Sequence, residues 1–212
     1  MTDIIYRPLE KKDFSDITQL IDDAWNFDNY IKNKKCKYHC IRAFMLGTIL
    51  GQNYTQVAEM DNEVVGLIFG KVPKLKGFVK NFRHIPAALY HGYMCYRYKE
   101  DRNMIKSFQG LLKVYKELLN KSGEEFGGEL EFFIVHSKAR GKSIGKTLWQ
   151  NYKKFCKENG VKKIYVYTDD KCNFGFYDHN GFERKFSMPT TFDTYKGKDT
   201  FNVYFYTKTL QD

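Results

Sequence analysis

The sequence predicts an α/β protein with a mixed, twisted sheet flanked by helices. Strand-like and helix-like periodicities alternate along most of the 212 residues. Two strand-like runs are separated by Asp61-Asn62-Glu63, residues that favour the tight turn of a β-hairpin. A strand, a helix and another strand then follow between residues 129 and 168. Together these observations favour helices packed on a sheet.

The elements of the first half follow from periodicity and from capping residues. A short strand is predicted at 4–7, and Asp13 or Ser15 is expected to cap the helix that follows. A lysine-rich turn leads into a second amphipathic helix. Strands are predicted at 54–60 and 64–72, on either side of the hairpin turn.

The second half begins with a segment whose pattern is less regular. The predicted elements are, in order, a helical insertion at about 73–128, a strand at 129–135, a helix at about 143–159, a strand at 163–168, a short helix at about 174–180 and a closing strand at 201–208. Neither an internal repeat nor a low-complexity linker interrupts the chain. A single domain spanning residues 1–212 is therefore expected.

The composition excludes several protein classes. Hydrophobic residues make up 42% and charged residues 28%, with four prolines, which excludes a disordered or collagen-like chain. No apolar run reaches the length of a membrane helix, and the first residues lack a secretion signal, so a cytoplasmic protein without a membrane partner is expected. The five cysteines are expected to be reduced thiols.

The net charge of +10 indicates a surface that attracts anions. Nucleic acid, acidic lipid and a phosphorylated small molecule all fit this charge. Charge alone does not choose among them.

The most informative segment is the loop between the strand at 129–135 and the next helix. Its residues are small or basic, and backbone amides at a helix N-terminus have no internal partners, so they bind phosphate oxygens well. Gly141 and Gly145 allow close approach, and Arg140, Lys142 and Lys146 add positive charge. An anionic ligand is favoured, although an ordinary glycine-containing turn with solvated lysines stays open.

This segment resembles the acyl-CoA loop of the GNAT superfamily of N-acetyltransferases. The family pattern is Gln or Arg, two residues, Gly, one residue, then Gly or Ala. Arg140, Gly141, Lys142, Ile144 and Gly145 fit it, while Ser143 stands in place of the middle glycine. The resemblance implies a mostly antiparallel sheet, splayed between its fourth and fifth strands, with helices on both faces.

A second stretch supports the same resemblance after the next strand. Phe176-Tyr177 and Gly181-Phe182 are similar to the family's aromatic-Tyr pair followed by Gly-Phe. The order and spacing of the two motifs agree with the family. The resemblance implies that acetyl-CoA is the co-substrate and that a primary amine, on a small molecule or a protein, is the acceptor.

The resemblance also assigns roles to individual residues. The cofactor-binding set that it implies is Phe133, Ile134, Val135, Arg140, Gly141, Lys142, Ser143, Ile144, Gly145, Lys146 and Asn173. Tyr177 matches the tyrosine that protonates the departing thiolate, and a phenol suits that task at neutral pH. Simple packing beside Phe176 and Phe182 is the alternative for this side chain.

A base for the amine is sought among the acidic residues of the strand at 129–135. Glu129 and Glu131 are two residues apart on a strand and are therefore expected to face the same side. Either could accept the ammonium proton, directly or through water. Solvent-facing strand charges are the open alternative.

Other residues are not assigned to a site. Cys36, His39 and Cys40 lack a second cluster at zinc-finger spacing, so a helix surface is expected and no metal is predicted. The basic, aromatic stretch from Lys71 to Lys99 could follow a nucleic-acid backbone or form a wall of the acceptor pocket. Nucleic acid is not the expected partner, and a homodimer stays open.

We therefore expect direct acetyl transfer from acetyl-CoA to a primary amine. A non-catalytic CoA-binding module, or a basic nucleic-acid-binding module on the same fold, is the alternative. No motif identifies the acceptor.

Overall fold

A computed structural model describes residues 3–75, 81–98 and 102–210. Residues 76–80 and 99–101, which belong to the predicted insertion, lie outside the described residues. The strands are β1 (Ile4–Pro8), β2 (Tyr54–Met60), β3 (Glu63–Lys71), β4 (Gly128–Val135), β5 (Lys163–Asp169), β6 (Glu183–Thr194) and β7 (Gly197–Thr209). The helices are α1 (Phe14–Trp25), α2 (Lys34–Gly51), α3 (Ile85–Arg97), α4 (Arg102–Ser122), α5 (Ile144–Glu158) and α6 (Gly175–His179).

The strands form one sheet in the order β1-β2-β3-β4-β5-β7-β6. Every neighbouring pair is antiparallel except β4 and β5, which are parallel because α5 carries the chain back across the sheet. The predicted fold class, a mixed sheet that is mostly antiparallel and flanked by helices, is confirmed. None of the helices among the described residues is long and apolar enough to cross a membrane.

The sheet opens between its two parallel strands. The ladder between β4 and β5 covers only Gly128–Leu130 against Ile164–Val166. β4 continues to Val135 and β5 to Asp169, so the two strands run on beyond their last paired residues. The predicted splay between the fourth and fifth strands is therefore present.

The side chains of β4 contribute to two different cores. Phe132 and Ile134 pack with α1 and α2 on one face of the sheet. Phe133 and Val135 pack with α5 and α6 on the other. Because successive residues of a strand point to opposite faces, the opening beside β4 connects both faces.

Turn chemistry explains the β2–β3 hairpin, as the sequence predicted. Asp61 and Asn62 have φ angles of 54° and 63°, the left-handed pair that a tight hairpin turn requires. Asp13 occupies the N-cap position of α1, as one of the two predicted caps, but it does not cap the helix by a hydrogen bond. Its carboxylate accepts from Arg7 at 2.7 Å instead.

Strand β6 is absent from the predicted elements. It pairs with β7 alone and therefore forms an edge of the sheet. Pro189 lies inside it, and proline is tolerated in an edge strand because the missing N–H has no ladder partner to lose there. A proline and several charged residues hide the alternation that would have predicted this strand.

The surface position predicted for Cys36, His39 and Cys40 is wrong. Cys36 is fully buried, and its Sγ lies 3.8 Å from Sγ of Cys40. His39 contacts α3 through Nδ1, which lies 2.9 Å from Nδ1 of His91. The helical repeat that follows the lysine-rich turn thus packs against α3, an element whose position the sequence does not reveal.

Candidate active site

A cleft of about 1660 Å³ passes through the opening beside β4. It is bordered on one face of the sheet by the loop before α5 and by α6, and on the other face by α1, α4 and the β6–β7 hairpin. All but one of the site residues predicted from the sequence border it. They are Glu129, Glu131, Phe133, Ile134, Val135, Arg140, Gly141, Ser143, Ile144, Gly145, Lys146, Asn173 and Tyr177. Lys142 is exposed and is not part of this lining.

The loop before α5 directs backbone amides into the cleft. The first hydrogen bond of the helix runs from the Thr147 amide to the Ser143 carbonyl, at 3.0 Å. The amides of Ile144, Gly145 and Lys146 precede that bond, so helix geometry leaves them to an external acceptor. The positive end of the helix dipole lies at the same place. This end of the cleft can therefore bind an anion.

Backbone conformation explains why small residues occupy this loop. Gly141 has a φ of 80°, and Ser143 has a φ of 61°. A left-handed conformation costs a residue with a side chain about 1–2 kcal/mol, so Ser143 is held there by its surroundings. A serine in this position still presents a backbone N–H.

Basic side chains near the loop differ in their availability. Arg140 and Lys146 are exposed and border the cleft. Lys138 is held by Glu63, with Nζ 2.5 Å from Oε2. Arg140 and Lys146 are thus the side chains placed to neutralise an anion inside the cleft.

Tyr177 lies on the short helix α6 and borders the cleft from the same face as the loop. Its side chain is 7% exposed, and its ring centroid lies 5.2 Å from that of Phe182 and 5.6 Å from that of Tyr206. Burial, with Cys172 and Asp169 nearby, raises the pKa of Tyr177 well above its ordinary value. The phenol therefore keeps its proton at neutral pH and can donate it. Packing and proton donation are both compatible with this position.

Asn173 and Cys172 lie just before α6, and both border the cleft. Burial and the neighbouring Asp169 raise the pKa of the Cys172 thiol to about 12. A thiol that stays protonated is a poor nucleophile, so the geometry favours no covalent role for Cys172.

Glu131 lies where β4 bulges. Pairing with β3 jumps from Leu130 opposite Gly70 to Phe132 opposite Phe69, which leaves Glu131 without a partner on β3. Its side chain is accessible from the cleft and accepts a hydrogen bond from Nε2 of buried Gln52. Partial desolvation by the walls of the cleft, together with the charge of Glu129, raises the pKa of Glu131 to about 7. A carboxylate with this pKa is suited to general-base chemistry.

Glu129 is in a different setting from Glu131, although both border the cleft. It is buried, its Oε2 lies 2.6 Å from Nζ of Lys71, and the same oxygen accepts a hydrogen bond of 2.8 Å from the Tyr165 hydroxyl. These contacts engage the carboxylate. The geometry therefore favours Glu131 over Glu129 as the base.

A side chain of α5 holds the backbone at Glu129. The hydroxyl of Tyr152 donates to the Glu129 carbonyl at 2.7 Å. A Cβ at Gly70 would overlap the Tyr152 ring, so the missing side chain allows this close approach. The start of the bulge is thereby fixed relative to α5.

Aromatic side chains cover much of the cleft on the α1 and α2 face. The rings that border it there are Trp25, Phe27, Tyr30, Phe44, Phe108, Tyr115, Phe132, Tyr165, Tyr167, Phe192 and Phe201. Of the described residues in the stretch from Lys71 to Lys99, which could have formed a wall of the acceptor pocket, only Lys71 borders the cleft. Reasoning from the sequence missed these rings and Gln52. These residues come from elements far apart in the chain, and no local spacing connects them.

The described residues contain no group of three or more His, Cys, Asp or Glu side chains placed to hold a metal ion.

Comparisons with known proteins identify the family and the fold. The sequence model of the acetyltransferase (GNAT) family matches residues 14–182. No curated protein matches the sequence. The fold is similar to that of the PaiA N-acetyltransferase from Thermoplasma acidophilum in complex with coenzyme A, at 16% identity and a TM-score of 0.54 over 98% of this chain and 99% of that one. An N-acetyltransferase from Staphylococcus aureus Mu50 is similar at 17% identity and a TM-score of 0.54, over 99% of both chains.

A third solved structure, Ard1 from Thermoplasma volcanium, is 14% identical with a TM-score of 0.56, and the match covers 99% of both chains. At these identities the structures establish the fold alone, while the family match covers most of the sequence. The chain therefore belongs to the GNAT acetyltransferase family.

Proposed function

We propose that this protein is an N-acetyltransferase that moves an acetyl group from acetyl-CoA to a primary amine by direct attack. The observation that carries the proposal is the continuity of one cleft. It connects the amides at the start of α5 with Tyr177 on one face of the sheet and with Glu131, whose pKa is about 7, on the other. Family membership supports the acyl transfer, and the solved complex of a similar protein with coenzyme A supports the co-substrate.

The residues of the cleft fit a CoA thioester. The amides of residues 141–146 and the side chains of Arg140 and Lys146 would hold the diphosphate. Lys142 would add positive charge outside the lining. Beyond the paired part of β4, the backbone groups of Phe133, Ile134 and Val135 would bind the pantetheine arm, as would the side-chain amide of Asn173.

The proposed chemistry follows from where the titratable groups lie. Glu131 accepts a proton from the ammonium group, and the neutral amine attacks the thioester carbonyl. A backbone N–H of β4 stabilises the oxyanion that forms. When the carbon–sulfur bond breaks, Tyr177 donates its proton to the thiolate. The products are the N-acetylated amine and free CoA, and the second amine proton returns to the phenolate through solvent.

Binding of acetyl-CoA and release of free thiol test the proposal. Acetyl-CoA should bind in isothermal titration calorimetry, and a panel of primary amines should contain acceptors that release CoA thiol. Acetyl-CoA binding without turnover of any amine in the panel would indicate a non-catalytic module instead.

The loop itself is tested by Gly145→Asp. An ordinary Cβ fits there, 3.4 Å from the nearest atom of Phe133, and an acidic residue is favourable in the first turn of a helix. The fold should therefore survive, while repulsion of the diphosphate should weaken acetyl-CoA binding at least about tenfold. Gly92→Asp, which adds the same charge to exposed α3, should leave the affinity unchanged. Equal affinities for both variants would show that the diphosphate binds elsewhere.

A further inference from the structure

We propose that the acceptor is a primary amine carried on an apolar body about the size of an aromatic ring. An arylalkylamine is the simplest member of this class. The inference rests on the proposed function, because it describes the amine that Glu131 would deprotonate.

The first argument is the wall opposite the CoA-binding loop. Phe132 lies at its centre, with its ring centroid 5.6 Å from that of Trp25 and 5.0 Å from that of Phe44. Phe44 in turn contacts Phe108, at 5.4 Å. These rings belong to or pack against the core of α1 and α2, and all four border the cleft. Phe132 also follows Glu131 directly in β4, so the base lies beside the wall.

The wall continues along the cleft to the β6–β7 hairpin. The ring of Phe192 lies 5.5 Å from Phe108 and 5.9 Å from Tyr30. The rings therefore form one continuous surface from β4 to the hairpin. Such a surface gains free energy by removing an apolar group from water, and it offers ring edges and faces to an aromatic ligand.

The second argument is the distribution of negative charge. Among the described residues that line the cleft, three carboxylates are engaged within the protein. These contacts join Glu129 with Lys71 and Tyr165, Asp199 with Lys171 and Tyr30, and Asp169 with the amides of Lys171 and Cys172. Asp23 is 45% exposed and lies 3.5 Å from His136, which directly follows β4. Glu131 takes one hydrogen bond from Gln52 and remains available to an amine.

Glu131 is therefore placed to receive the ammonium group of an amine whose body lies against the rings. A polyamine or an aminoglycoside has no apolar body of that size, so it would gain less free energy from leaving water there. The cleft therefore favours apolar bodies over polycations.

The test compares amines that differ in the group carrying the amino nitrogen, and it measures kcat/KM for thiol release with each. The panel contains 2-phenylethylamine, ethylamine, ethanolamine, spermidine, kanamycin and a lysine peptide. Even one methylene in an apolar pocket is worth about 10-fold to 200-fold, so 2-phenylethylamine should exceed every polar amine at least about tenfold. A higher kcat/KM for spermidine, kanamycin or the peptide would overturn the acceptor proposal and leave the transferase proposal standing.

Substitutions in the aromatic wall test whether these rings cause the preference for 2-phenylethylamine. Phe108→Ala should lower the ratio of kcat/KM for 2-phenylethylamine to that for ethylamine about tenfold or more. Tyr93→Ala removes a ring that is 58% exposed on α3, away from the cleft, and should leave that ratio unchanged. An unchanged ratio in a folded Phe108→Ala protein would contradict the assigned wall.

A binding measurement separates this inference from the proposed function. Calorimetry with the CoA-saturated protein should show saturable binding of 2-phenylethylamine that Phe108→Ala weakens, whether or not acetyl transfer follows. Absence of that binding would overturn the acceptor class alone. Absence of acetyl-CoA binding would overturn the proposed function. In that case, calorimetric titration of 2-phenylethylamine into the CoA-free protein would still test whether the aromatic pocket binds the amine.

Discussion

The charge of Glu129 raises the pKa of Glu131, which lies two residues further along β4. Lys71, which pairs with Glu129, opposes that effect and lowers the pKa of Glu131. Desolvation by the walls of the cleft is the largest cause, and together these influences place the pKa of Glu131 at about 7. The two acidic residues of one strand therefore differ in their electrostatic settings. In the proposed mechanism, Glu131 exchanges the proton and Glu129 tunes its pKa.

This coupling predicts shifts in the pH dependence of turnover. A base acts only when deprotonated, so kcat/KM should rise with pH through about 7. Glu129→Gln removes a neighbouring negative charge and should move this rise to lower pH. Lys71→Met removes a positive charge and should move it to higher pH. Profiles of kcat/KM against pH for the two variants would contradict the coupling if both rises moved in the same direction.

The base itself is tested by Glu131→Gln. The amide keeps the size of the side chain but cannot accept the ammonium proton, so kcat/KM near pH 7 should fall about 10²-fold to 10⁴-fold. The rise through about pH 7 should disappear, while acetyl-CoA affinity in calorimetry should be retained. Glu125→Gln, at an exposed position before β4, is the matched control and should behave like the wild type. Wild-type turnover by Glu131→Gln would exclude this residue as the base.

Tyr177→Phe tests the proton donor. The ring still packs beside Phe182 and Tyr206, but no proton remains for the leaving thiolate. We expect kcat to fall about 10²-fold or more with acetyl-CoA affinity preserved. Tyr93→Phe, on the exposed face of α3, should leave kcat unchanged. A wild-type kcat in Tyr177→Phe would instead indicate that Tyr177 only packs.

Gly70→Ala tests how the bulge in β4 is held. The added methyl group would overlap the Tyr152 ring and push away the hydroxyl that donates to the Glu129 carbonyl. Overpacking of this kind costs about 1–3 kcal/mol, which urea denaturation would measure. The cost should shrink in a Tyr152→Leu background, where the ring is gone.

Gly110→Ala is the matched control for that substitution. A Cβ at Gly110 in α4 meets no atom within 4 Å. Alanine there should stabilise the protein by about 0.5–1 kcal/mol, because glycine is unfavourable inside a helix. Equal destabilisation by both substitutions would show that the Tyr152 contact is not the cause.

The paired histidines between α2 and α3 predict a loss of stability in acid. Burial, with His39 and Arg42 nearby, lowers the pKa of His91 from 6.5 to about 4. The unfolded chain therefore binds a proton at higher pH than the folded protein does. The free energy of unfolding should fall as pH drops from about 6.5 toward 4.

Denaturation of wild type and His91→Asn across this pH range checks the prediction. The difference between the two proteins isolates His91, because the carboxylates titrate in both. The difference should be largest near neutral pH and shrink toward pH 4. A difference that stays constant with pH would exclude His91 as the titrating group.

The sequence by itself determined the features that depend on neighbours in the chain. Asp61 and Asn62 specify a hairpin through their own backbone preferences. The segment from Arg140 to Lys146 combines glycines, positive charges and a helix start within a few residues, so the sequence alone was enough to propose it as an anion site. Tyr177 was found by its spacing from Gly181-Phe182 in a motif that the family shares.

The tertiary structure distinguishes the settings of the two acids that the sequence offered as candidate bases. Glu129 and Glu131 are the same residue type on the same strand, and their settings differ because Lys71 and Tyr165 reach one while Gln52 reaches the other. The aromatic wall likewise joins rings of α1, α2, α4, β4 and β6. Desolvation and ring contacts depend on atoms that the fold brings together from distant parts of the chain. A local pattern of residues therefore cannot predict them.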